Sequence, residues 1–124
     1  MEEHFSIDFP VFDYRLFVVY TDDIKKSRLS LNHKVGAPNE EISSNIDGLH
    51  SYNNLDTDAF ILFTPKSSIG TIAHEVSHAI WRMFVYYGAE FENELFAYHL
   101  GYTLDQILKF KNEVDMKTSP EVNN

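Results

Sequence analysis

His74-Glu75-Val76-Ser77-His78 sets two imidazoles four residues apart, with a carboxylate directly after the first. On an α-helix, residues four apart lie one turn apart on the same face, about 6 Å along the axis. The two rings can therefore aim at one point. A zinc ion accepts two neutral imidazole nitrogens and still needs further ligands. Glu75 falls beside such a metal rather than on it, where its carboxylate can take a proton from a metal-bound water. The plain alternative is a metal-free helical core with coincidental histidines, in a chain that holds 6 His and 19 acidic residues. That alternative leaves His74 and His78 buried without a partner, which is costly unless each is hydrogen-bonded. The chain has no cysteine, so any metal must rest on His and carboxylates.

A third ligand is expected from the next element. Glu90, Glu92 and Glu94 all follow Gly88 closely. Glu94 is preferred because it opens a helix, which holds a carboxylate in fixed geometry. Ala97 and Gly101 would also let that helix approach the first one closely. Glu90 and Glu92 remain competitors.

Elements must position these groups. Phe9 to Tyr20 reads as a strand entry and strand, with Pro10 blocking helix and an aromatic, β-branched run from Tyr14 to Tyr20. Thr21 caps a short helix from about Asp22 to Asn32 that buries Ile24, Leu31 and part of Leu29. His33 follows as a surface residue. Gly36 to Asp47 is polar, irregular and too long for a tight turn. Leu49 to Tyr52 is a candidate short strand, with His50 as a surface or hydrogen-bonded His and, as the lesser alternative, a substrate or metal contact, and Asn53-Asn54 supplies turn chemistry. Ala59 to Thr64 is the second clear strand, ended by Pro65. Ser67 or Ser68 caps the next helix. Its broad apolar surface runs from Ile69 through Ile72, Val76, Ile80 and Phe84 to Tyr87. Gly88 should end it in a left-handed conformation. On that helix Trp81 is expected to pack and Arg82 to lie at the surface. Tyr86, Tyr87 and Tyr102 could polarise a substrate carbonyl, but a helical aromatic stripe reads more readily as core, and His99 reads as structural. The last helix runs from about Asn93 to Phe110. The chain thus divides into one domain, 1–111, and a polar, fraying tail, 112–124. A small sheet against two helices is an α+β arrangement.

The length suits a single domain, and 44% hydrophobic residues with 10 Phe supply a core. The formal charge of −9, with 10 scattered Lys and Arg, argues against nucleic acid and anionic membranes as partners. The N-terminus lacks a basic flank and an apolar stretch, and no run is long enough to span a bilayer. The expectation is a cytoplasmic protein.

The two motifs together resemble a family. His74-Glu75-x-x-His78 followed by Asn93-Glu94-x-x-Ala97 is similar to the gluzincin branch of zinc metallopeptidases. There a second helix supplies a Glu ligand, often from an Asn-Glu dipeptide. Asn93-Glu94-Leu95-Phe96-Ala97 resembles the Asn-Glu-Gly-Phe-Ala of zinc aminopeptidases. The small size, the Phe96, Ala97, Tyr98, Gly101, Tyr102 pattern and the strand before the metal helix also resemble short phage-encoded predicted metallopeptidases. The resemblance covers about Ala59 to Leu108. It implies a minimal zincin-like domain: a small β-sheet packed on the metal helix and a following antiparallel helix. It implies His74, His78 and Glu94 as ligands of one Zn2+ per chain, and Glu75 as general base. Tyr98, one turn after Glu94, would hydrogen-bond a ligand His. Ala59 to Thr64 would be the sheet edge that aligns an extended substrate. The implied activity is hydrolysis of peptide bonds in a peptide or protein through a metal-bound water activated by Glu75. The alternative is a zincin-like phage accessory or regulatory binding protein with a zinc site and little or no turnover.

Overall fold

Phe5, Ile7 and Phe9 alternate with the exposed His4, Ser6 and Asp8, a period-two pattern that makes a strand with one buried face. A computed structural model describes residues 1–9, 11–28, 48–52, 58–90 and 92–118. In it that strand, β1 (Glu2–Phe9), turns through residues 11–13 into β2 (Tyr14–Thr21). The two pair antiparallel from Glu2↔Thr21 to Phe9↔Tyr14. The sequence reading had no strand before Phe9, because the charged residues of β1 masked its alternation.

β2 pairs parallel with β4 (Asp58–Phe63), and β4 pairs antiparallel with β3 (Gly48–Tyr52). The sheet order is β1-β2-β4-β3. This corrects one expectation: β4 is interior, paired on both sides, and cannot be the sheet edge beside the metal helix. The edge there is β3. β4 sits inside because Ala59, Ile61 and Phe63 bury one face while Phe60 and Leu62 bury the other. Such two-faced burial suits a central strand.

After β2 the chain is helical at residues 24–28 (α1). Asp23 caps it, its Oδ1 accepting from the Lys26 amide at 3.1 Å, and its own amide donates to Thr21 Oγ1 at 3.1 Å. Ile24 joins Val19, Phe60 and Leu62 on one face of the sheet. Leu29, Leu31, His33, the 36–47 stretch, Asn53-Asn54 and residues 119–124 lie outside the described residues.

The other face carries α2 (Ile69–Tyr87) and α3 (Asn93–Thr118). Ser68 caps α2, its Oγ accepting from the Thr71 amide at 3.0 Å. Gly88 ends it at φ 63°, with the Gly88 and Ala89 amides donating to Val85 and Phe84 carbonyls. Ile72, Val76, Ala79, Ile80, Met83 and Phe84 form its buried face. α3 then returns along β1: its start meets Phe84 and its later turns meet Phe5. It continues past Phe110 to Thr118, so the expected tail boundary moves. Val114 is buried and Asp115 accepts the Tyr20 hydroxyl, which ties those extra turns down. Among the described residues the architecture is α+β with a mixed four-stranded sheet.

Candidate metal centre

α2 and α3 lie side by side, α2 against β3 and β4 and α3 against β1. Phe84 is the α2 side chain that meets α3, through Phe96 and His99. On a 100° per residue wheel, His78 lies about 120° round the helix from Phe84. The two histidines lie off the buried face of α2, on its solvent-exposed flank. Both are exposed.

There the rings meet. His74 Nε2 and His78 Nε2 stand 3.2 Å apart, with ring planes 80° to one another. Two zinc–nitrogen bonds of about 2.05 Å at the tetrahedral angle set the nitrogens roughly 3.3 Å apart. The pair thus has the spacing of two ligands on one ion. Convergent neutral imidazole nitrogens also have the right donor chemistry for zinc. Ser77 Oγ donates to the His74 carbonyl at 2.8 Å, one turn back on the same helix.

Glu75 lies against the start of β3 and is half-buried. Its neighbours are Gly48, the first residue of β3, and the two imidazoles. Burial raises its carboxyl above the ordinary value, working against both imidazoles, which lower it. A carboxylate so placed is poised to accept a proton and to give it up.

The remaining candidates are not brought to the pair. Glu94 and Tyr98 are exposed, the latter at 67%. α3 turns His99, Thr103, Ile107 and Val114 inward, which directs Glu94, Tyr98 and Tyr102 outward. Tyr98 stacks on Tyr102 and meets His99 edge-on, instead of holding a ligand imidazole. Glu92 is spent elsewhere. Its carboxylate caps α3, accepting the Glu94 amide at 3.1 Å and the Leu95 amide at 2.8 Å. Glu90 is exposed. Among the described residues, no group of three or more His, Cys, Asp or Glu could hold a metal ion. His99 is structural, as read from the sequence. It is buried, its Nδ1–H donates to the Leu95 carbonyl at 2.8 Å, and its ring packs against Phe9, Phe12 and Phe84.

Two neighbours of the site escaped the sequence reading. Trp81, expected to pack, is 55% exposed one turn beyond His78 on the same flank. Gly48 stands against Glu75, a contact that no local pattern announces because it joins residues far apart in the chain. Among the described residues no helix is long and apolar enough to cross a membrane. Comparison with protein-family models, curated proteins and solved structures finds no match to the chain.

Proposed function

We propose that this chain is a zinc-dependent metallopeptidase of minimal, gluzincin-like design, acting in the cytoplasm on peptide or protein substrates. The observation that carries the reading is the 3.2 Å approach of His74 and His78 Nε2, with the Glu75 carboxylate within their electrostatic reach. His74 and His78 hold the ion, and Glu94 is the proposed third ligand. Zinc, when bound, supplies a Lewis acid that polarises the scissile carbonyl and acidifies water. Glu75 takes the proton of the attacking water and returns it to the leaving amine. Burial raises its proton affinity above that of an ordinary carboxylate, which suits a group that both takes and returns a proton. Among the described strands β3, rather than β4, is the edge that offers main-chain groups to an extended substrate.

One observation favours a second reading. Glu94 stands exposed on the outward face of α3, and no third acidic or imidazole ligand joins the histidines among the described residues. That arrangement suits a zinc-carrying accessory or regulatory binding protein with little turnover.

Zinc content and hydrolysis of a peptide library, measured on wild type, His74→Ala, Glu94→Ala and Glu75→Gln, separate the two. The peptidase reading expects near-stoichiometric zinc in wild type, lost in His74→Ala and weakened in Glu94→Ala. It expects Glu75→Gln to keep zinc and lose about 100-fold or more in rate. Zinc without hydrolysis in wild type selects the binding-protein reading. Zinc well below one equivalent after metal-replete purification removes both.

A further inference from the structure

Gly48 opens the edge strand β3 and pairs with Phe63 of β4. It is buried against the first turns of α2. A Cβ built there would stand 2.9 Å from Thr71 Cγ2, 3.1 Å from Glu75 Cγ and 3.4 Å from Glu75 Oε2. The first two distances are below ordinary carbon–carbon contact of about 3.5–4.0 Å. The strand backbone therefore rests directly on the side chain of Glu75, at a closeness that only glycine permits.

Thr71, the other wall, is not free to turn aside. Its amide donates to Ser68 Oγ at 3.0 Å, and Ser68 Oγ and Thr71 Oγ1 stand 3.1 Å apart in a hydrogen bond. The hydroxyl held at the helix cap fixes the methyl toward Gly48. Glu75 is thus confined between a pinned threonine methyl, the backbone of β3 and the helix that carries it.

We infer that Gly48 is a positioning residue for Glu75: its missing side chain lets the edge strand close over the carboxylate and hold it at a fixed place beside the two histidines. The catalytic consequence rests on the peptidase reading above; the positioning itself does not. A side chain at position 48 must push aside the Thr71 methyl, the strand or Glu75. Displacing a reacting group by about 1 Å can cost on the order of 100-fold in rate.

The test uses the full chain as Gly48→Ala and as Gly48→Ala with Thr71→Ser. The serine removes the methyl that crowds the new Cβ and keeps the hydroxyl at the cap, so the double variant relieves the clash between strand and helix. The contact with Glu75 remains in both. We expect both proteins to bind zinc as wild type does, to keep KM close to wild type, and to lose up to about 100-fold in kcat. Crystal structures of both are expected to show the Glu75 carboxylate displaced, with His74 and His78 unmoved. Wild-type kcat in Gly48→Ala overturns the inference. So does recovery of the rate in the double variant, because the damage then lies in the strand–helix spacing. If Gly48→Ala does not fold, the double variant carries the same readouts alone. If wild type hydrolyses nothing, the peptidase reading fails by itself. The crystal structures then decide: displacement of Glu75 supports its positioning by Gly48, and superposition on wild type overturns it.

Discussion

His74 and His78 owe their closeness to helical geometry alone. A spacing of four residues brings the exposed rings together at a 3.2 Å Nε2 separation. Glu75 differs, because its neighbours oppose one another. Burial disfavours its charge, while the two imidazoles favour it, and burial wins. A carboxyl held above its ordinary value stabilises the fold most when protonated. That contribution is present at acid pH and is lost as pH rises through the folded-state value. Glu75→Gln is neutral throughout, so it avoids the cost that the buried charge imposes at neutral pH. In the metal-free protein, with chelator present, Glu75→Gln is expected to melt higher than wild type at neutral pH. The gap should close as pH falls to about 4, where wild type is also protonated. Thermal unfolding across that range checks it; equal melting temperatures at neutral pH would remove burial as the controlling influence on Glu75.

α2 was readable at the level of the element because its signals are local. A serine before the first turn, an apolar stripe at helical spacing and a glycine after the last turn each act within a few residues, and the structure uses all three. β4 was readable as a strand, yet its neighbours were not, since strand order depends on pairing between distant segments. β1 was missed although Phe5, Ile7 and Phe9 alternate, because its outward Glu, His and Asp residues dominate the composition. The face of α3 on which Glu94 lies is illegible in the sequence for a related reason. A short connection from α2 to α3 brings the helices together, but only packing decides which face of each helix turns inward. Phe96, His99, Thr103 and Ile107 take the inward face of α3, and Phe84 takes the facing side of α2. Glu92 carries the remaining surprise, since its carboxylate serves two backbone amides of the first turn of α3. Its replacement by alanine leaves those donors to water and removes a negative charge from the helix N-terminus. Glu92→Ala is therefore expected to cost about 1 kcal/mol, read from denaturant unfolding, with zinc binding unaffected. A loss of zinc in that variant would instead return Glu92 to the ligand set.

What joins the molecule as a whole is the far end of α3. Phe110 stacks on Phe5 of β1 with ring centroids 5.0 Å apart and meets Tyr20 of β2 edge-on at 6.5 Å. Tyr20, fully buried and stacked on Phe63 of β4, donates its hydroxyl to Asp115 at 2.5 Å. Lys111 completes the group, 2.7 Å from Asp115 and over the Tyr20 ring at 5.6 Å. Two central strands and the last helix are thus coupled through one carboxylate. Burial pulls the Asp115 carboxyl upward, but the hydrogen bonds from Lys111 and Tyr20, with the Lys111 charge, leave it below its ordinary value. Burial, then the Asp115 hydrogen bond and charge, push the Tyr20 phenol up. The signs give opposite limbs. A depressed carboxyl contributes stability that is present above its unfolded-state value and is lost as pH falls through its folded value. A raised phenol contributes stability that is lost only as pH rises through its own folded value. Asp115→Ala, which leaves the buried Tyr20 hydroxyl without this acceptor, is expected to cost about 1–3 kcal/mol at neutral pH. Asp115→Asn keeps an acceptor oxygen, so its cost at neutral pH is smaller, and it cannot titrate. Its stability should therefore approach that of wild type as pH falls toward about 3. Denaturant unfolding of wild type, Asp115→Asn and Asp115→Ala at neutral and acid pH measures all three. If Asp115→Asn stays as far below wild type in acid as at neutrality, charge is not what binds the last turns of α3 to the sheet, and shape alone must hold them.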